Sequence, residues 1–140
     1  MATKIVKKKT TIYPRKDYYK EALRYIDNAK TTLREKAGKK GDYYSDSKYV
    51  KTACNTAWNG VLVALDGKMI KENCKITNQN HRMKIELYQE YISKRNRTIA
   101  KDFRSAYNYL HLFGGYDGDL RVITSSEGIK LALKIIEWCK

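Results

Sequence analysis

The sequence predicts an all-α fold, an antiparallel bundle of four to five helices, on three observations. The 140 residues hold a single proline, Pro14, and eight glycines, too little punctuation for the many turns of an all-β domain of this size. Apolar residues recur at three- and four-residue steps over most of the chain, the period of one helix face. A hydrophobic fraction of 42% is that of an ordinary folded chain, which can bury a core at this length without disulfides or metal. One helical-bundle domain over residues 14–140 is expected, preceded by a basic arm over residues 1–13.

Through Lys16 the chain carries six basic residues (Lys4, Lys7, Lys8, Lys9, Arg15 and Lys16) and no acid. Lys7, Lys8 and Lys9 are candidates for tracking phosphates; the competing reading is a solvated, frayed terminus. The arm has no apolar stretch of the kind a secretory signal needs. The longest apolar run, Val61–Leu65, is far too short to span a bilayer, so no membrane partner is expected.

The first helix is expected from about Pro14 to Ala37. Proline suits a first helical position because it has no N–H to leave unpaired. Tyr19, Ala22, Leu23, Ile26, Ala29 and Leu33 share a face, and Gly38 provides the stop. "GDYYSDS" reads as a loop in which Ser45 or Asp46 caps the second helix. That helix is expected to reach about Asp66 and to end at Gly67. Its wide stripe, Val50, Ala53, Cys54, Ala57, Trp58, Val61, Leu62 and Leu65, implies more than one packing neighbour. Gly60 inside it costs about 1 kcal/mol relative to alanine, which points to close approach of another helix.

"KMIKENCKITNQN" is polar and aperiodic, a connection. Helical periodicity resumes near His81 and runs through Ile85, Tyr88, Ile92, Ile99, Phe103, Ala106 and Leu110. Such a run is one long helix, or two with a break at "SKRN". "FGGYDGD" reads as a breaker. "TSSE", Thr124 to Glu127, reads as a capping box opening the last helix, whose apolar residues lie on two sides.

The net charge of +14 attracts polyanions, although it also serves solubility. The three cysteines are odd in number and widely spaced, which fits a reducing cytoplasm better than a disulfide framework. No phosphate-cradling glycine loop and no nucleophile elbow is present. His81 and His111 have no Cys or His at ligand spacing, so neither metal nor cofactor is expected. On a wheel of 3.6 residues per turn, Arg97, Lys101, Arg104 and His111 line one border of the apolar face formed by Ile99, Phe103, Ala106, Tyr107 and Leu110. A phosphate backbone could lie along that border. Alternatively, the arginine stems cover the edge of the core with their heads in water.

The order of these elements resembles the HEPN superfamily of compact bacterial helical domains. The likeness lies in the Tyr19–Leu33 stripe, the helix "YVKTACNTAWNGVLVALDGKM", a long segment containing "RNRT", and the closing helix "GIKLALKIIEWC". It implies a dimer, and in active members an arginine with a following polar residue and a histidine that cut RNA without metal at the dimer interface. Arg95-Asn96 matches the start of that motif. Ala100, Lys101 and Asp102 stand where the histidine should follow. Arg104 and His111 satisfy the widest spacing, but on one α-helix their Cα atoms would lie roughly 10 Å apart, and the arginine would point away from the histidine. The expectation is therefore a non-catalytic, homodimeric HEPN-like module with no membrane partner, which binds RNA, nucleotide or a partner protein. The alternatives are a toxin-like, metal-independent endoribonuclease using Arg104 and His111 with Arg95 and Asn96, and a purely structural helical subunit.

Overall fold

The structure, a computed structural model, describes residues 17–74 and 84–140. The basic arm with Lys7, Lys8 and Lys9, and Pro14 and His81, lie outside the described residues. Within them the fold is all-α: five α-helices, one π-helical segment and one small hairpin.

Helix α1 spans Tyr18–Lys36 and buries Ala22, Ile26, Ala29 and Leu33 on the predicted face. Its cap is Asp17, whose carboxylate accepts the Lys20 N–H at 3.0 Å. The chain then turns through Gly38 (φ +70°) and Gly41 (φ +62°), left-handed positions where glycine avoids the cost of a Cβ. Between them β1 (Lys39–Lys40) pairs antiparallel with β2 (Tyr43–Tyr44). "GDYYSDS" is thus part hairpin rather than all loop. The hairpin is held from outside, because the Tyr44 N–H donates to Leu120 O at 2.8 Å and the Val122 N–H to Asp42 O at 2.9 Å.

Helix α2 spans Ser47–Lys71 and is the centre of the bundle, with buried residues from Val50 to Met69. Of the two expected caps, Asp46 accepts the Lys48 N–H, while the Ser45 hydroxyl donates to Gly38 O. Gly67 does not end this helix, which continues to Lys71. Its missing side chain admits Tyr18: a Cβ there would overlap the tyrosine's own Cβ and ring. Gly60 has the partner its cost implied. A Cβ at that position would stand 3.0 Å from Tyr25 Cβ and 3.1 Å from Ala22 O. Since Gly60 meets Ala22 and Tyr25, while Gly67 meets Tyr18, α1 and α2 are antiparallel.

The long periodic run is two helices, α3 (Ile85–Ser93) and α4 (Arg97–Ala106). Asn96 makes the break. It adopts an extended conformation and its side-chain oxygen accepts the Ile99 N–H at 2.9 Å, as an N-cap does. Tyr107–Tyr116 continues α4 as a π-helix. The glycine pair does not break the chain, as "FGGYDGD" suggested; it lies inside the π segment, buried against α2. A Cβ on Gly114 would collide with Cys54, and one on Gly115 with Asn55. The turn comes later, at Gly118 (φ +67°).

Helix α5 spans Val122–Trp138. "TSSE" is not a capping box. The helix begins before it, and the Thr124 hydroxyl donates instead to the Asp119 carboxylate at 2.9 Å. The same carboxylate receives the Arg121 backbone N–H and guanidinium, and these hydrogen bonds from Arg121 hold its pKa down at about 2. Helix α5 runs antiparallel to α4, with Gly128 against Leu110 and Lys134 3.0 Å from Asp102. It also crosses α1, where Tyr19 donates to Glu137 at 2.8 Å. Among the described residues no helix is long and apolar enough to cross a membrane.

Candidate nucleic-acid interface

The residues singled out in the sequence fall into three places. The first is the junction between α3 and α4. Arg95 is spent on structure there. Its Nε stands 3.0 Å from Glu72 Oε1, its Nη1 donates to Tyr91 O at 2.9 Å, and its guanidinium carbon lies 3.8 Å from the centre of the Tyr91 ring. Glu72 also accepts the Tyr91 hydroxyl at 2.6 Å and pairs with Lys68 at 3.1 Å. The hydrogen bond from Tyr91, aided by Lys68 and Arg95, pulls the Glu72 pKa to about 2. Desolvation and the same carboxylate raise the Tyr91 phenol. This network ties the end of α2 to the α3–α4 corner. With Asn96 occupied as a cap, both members of the Arg-Asn pair have local structural work.

The second place is the outer face of α4. Ile99, Phe103 and Ala106 are buried as the wheel required, so Arg97, Lys101 and Arg104 are left exposed. Spacings of four and three residues put them on one face. None of the three makes an ion pair or side-chain hydrogen bond among the described residues. The acid nearest in sequence, Asp102, is half-buried on another side, where its partner is the Lys134 ammonium. Its Oδ2 has no well-directed hydrogen bond, so that contact is a charge pair. Arg97 stands in the first turn of α4, where the helix dipole disfavours a cation. Lys101 and Arg104 line a shallow cleft of about 420 Å³ with Gln89, Ser93, Ala100 and Ser105. Gln89 braces it, donating to Ala100 O at 3.1 Å.

The third place holds His111, which the wheel assigned to the basic border. The π segment changes that. A turn closed by i→i+5 bonds takes more residues than an α-turn, so the phase carried from Arg104 no longer brings His111 beneath it. His111 is exposed but lies over Tyr107, with ring centres 5.2 Å apart, and 6.1 Å from Trp58. It lines a separate cleft of about 430 Å³ with Asn55, Trp58, Asn59, Tyr88 and Tyr107. Arg104 is absent from that lining, and His111 from the other. The structure therefore does not bring Arg95, Arg104 and His111 together within one chain.

Sequence reasoning missed Gln89 and Ser93 as parts of the α4 cleft. Their signal was faint, two polar residues one turn apart on a helix whose other sides are apolar or charged. It also missed Asn55 and Asn59, polar residues on a largely apolar helix. Among the described residues no three His, Cys, Asp or Glu side chains gather in a way that could hold a metal ion.

A family model described as "Domain of unknown function (DUF5618)" matches residues 17–140. A solved structure, a protein of unknown function from Dyadobacter fermentans, is similar at 38% identity and a TM-score of 0.79, with 87% of this chain and 93% of that one covered. No curated protein matches the chain.

Proposed function

The chain belongs to the DUF5618 family, and we propose that it is a non-catalytic binding module whose ligand is single-stranded RNA, held by phosphate contacts along α4. The observation that carries this reading is the outer face of α4: Arg97, Lys101 and Arg104 are exposed, share one side and have no acid partner among the described residues. Arg95 pairs with a carboxylate and lies over an aromatic ring. Three that do neither present their charge outward, where phosphates release counterions on binding. Arg97 adds weight because it sits against its helix dipole, an arrangement an external anion would relieve. The choice of RNA draws on the resemblance to the HEPN superfamily, and the reading needs no HEPN catalysis.

A homodimer is part of the same proposal. Of the large apolar side chains exposed among the described residues, Tyr43, Phe113, Tyr116 and Ile123 come from the hairpin, the π segment and the start of α5. The hairpin adjoins residues 120–122 through hydrogen bonds, and the Asp119 N–H donates to Phe113 O of the π segment at 2.9 Å. A second copy would cover apolar surface there.

The test is fluorescence anisotropy with a labelled single-stranded RNA over a salt series. Binding that weakens steeply with salt, and is lost when Arg97, Lys101 and Arg104 become glutamate, is expected. RNA cleavage that persists in EDTA and disappears in His111→Ala would replace this reading with the endoribonuclease. Absence of binding at low salt would leave a structural subunit.

A further inference from the structure

A second group of cations stands away from α4, in a cleft of about 500 Å³ between α1, the hairpin and α5. Its floor is apolar. Leu33 of α1 and Ile129 of α5 are almost buried there, at 6% and 7% exposure, and Leu133 and Val122 extend it. Four cations surround this floor: Lys30 and Arg34, one turn apart on α1, Lys39 on β1, and Lys130 on α5. Ser126 supplies an exposed hydroxyl, while Ser125 is buried with its hydroxyl donating to Val122 O. No acidic side chain is among the lining residues.

Two of the cations have only loose counterions. Arg34 lies 3.6 Å from Glu35 and Lys130 lies 3.5 Å from Glu127, each pair between well-exposed groups. Such pairs contribute little and exchange easily with solvent ions. Lys30 and Lys39 have no ion pair among the described residues. Four like charges around one cleft repel one another, and the half-buried Val122 and Leu133 leave part of its apolar lining open to water. An anion alone would answer the first problem, and an apolar body alone the second. A single molecule with both answers both, and the cleft has the size of a small-molecule site.

We propose that the α1–hairpin–α5 cleft binds a small soluble anion carrying an apolar body. Its acidic head meets the lysine and arginine rim, and its body lies on Leu33, Ile129 and Leu133. This site is separate from the α4 face and does not depend on RNA binding.

The probe is anilinonaphthalene sulfonate, a fluorescent sulfonate with an aromatic body, titrated into the full chain. One saturable site is expected. Lys39→Glu with Lys130→Glu should weaken it at least about tenfold by reversing two rim charges. Ser126→Trp, at an exposed position on α5 that can take a large side chain without disturbing the core, should weaken it similarly by filling the cleft. Glutamate at Arg97, Lys101 and Arg104 should leave it unchanged. Inorganic phosphate should displace the probe only weakly, because it has the charge without the body. Unchanged probe affinity in both cleft variants overturns the proposal. So does displacement by phosphate as effective as by a second aromatic sulfonate, which would leave charge alone. Binding to phosphatidylglycerol vesicles that requires Lys39 and Lys130, with no probe binding in solution, would assign the rim to a lipid headgroup and overturn the soluble ligand.

Discussion

Arg95 and Arg104 stand on the same stretch of periodic sequence, yet they live in opposite circumstances. Arg95 is engaged by Glu72, the Tyr91 carbonyl and the Tyr91 ring. Arg104 touches no acid among the described residues and faces a polar cleft. One corner of the molecule consumes its charge to hold three helices together; the neighbouring face leaves its charge unspent. Basic residues are therefore informative about ligands only after those used internally have been subtracted. Of the residues first considered for a ribonuclease motif, that subtraction removes Arg95 and Asn96.

The contrast can be broken in order of expected effect. Reversing Arg97, Lys101 and Arg104 together should cut single-stranded RNA affinity about a hundredfold or more at low salt and flatten the slope of log affinity against log salt by about 2. Thermal stability should stay near that of the wild type, because none of the three makes a contact that the fold uses. An affinity loss matched by a stability loss would erase the distinction between the two regions. Gly114→Ala should do the reverse. The new methyl meets Cys54 Cβ at 2.7 Å, and overpacking of this kind costs roughly 1–3 kcal/mol, read by chemical denaturation, with RNA affinity kept.

Asn96→Ala should remove the cap of α4 for about 1 kcal/mol, again without affecting affinity. A drop in affinity instead would show that Asn96 touches the ligand. The smallest effect belongs to Glu72. Its folded pKa is depressed to about 2 from an ordinary 4.5, so its contribution is complete above the ordinary value and is lost as pH falls through about 2. The melting temperature of the wild type should therefore decline more steeply over that acid window than that of Glu72→Gln. The difference should be modest, since the Glu72 side chain is about a third open to water.

Most of the bundle could be read directly. Ile26, Ala29 and Leu33, and later Ile99, Phe103 and Leu110, announce their buried faces by spacing alone, because each of these outer helices has one side to hide. What could not be read depended on partners remote in sequence. Gly67 looked like a stop because nothing nearby says that Tyr18 will press on it. Gly114 and Gly115 looked like a breaker because their reason is Cys54 and Asn55 on α2. The π segment carries these glycines, and with it went the expected place of His111: a wheel drawn at one pitch cannot register a change of pitch. Thr124 misled for a more local reason. Its hydroxyl had a better acceptor in the Asp119 carboxylate than in its own helix.

The contact between Gly114 and Cys54 gives the molecule a built-in clock for its own opening. Cys74 is partly accessible, whereas Cys54 and Cys139 are buried and their thiols are pushed up to about 12 by that burial. An alkylating reagent meets Cys74 at the surface, but it reaches the buried Cys54, packed against Gly114 of the π segment, only when the helices around it part. The labelling rates of the two cysteines thus separate local exposure from separation of the central helices. A ligand that braces the π segment would slow the second rate without changing the first.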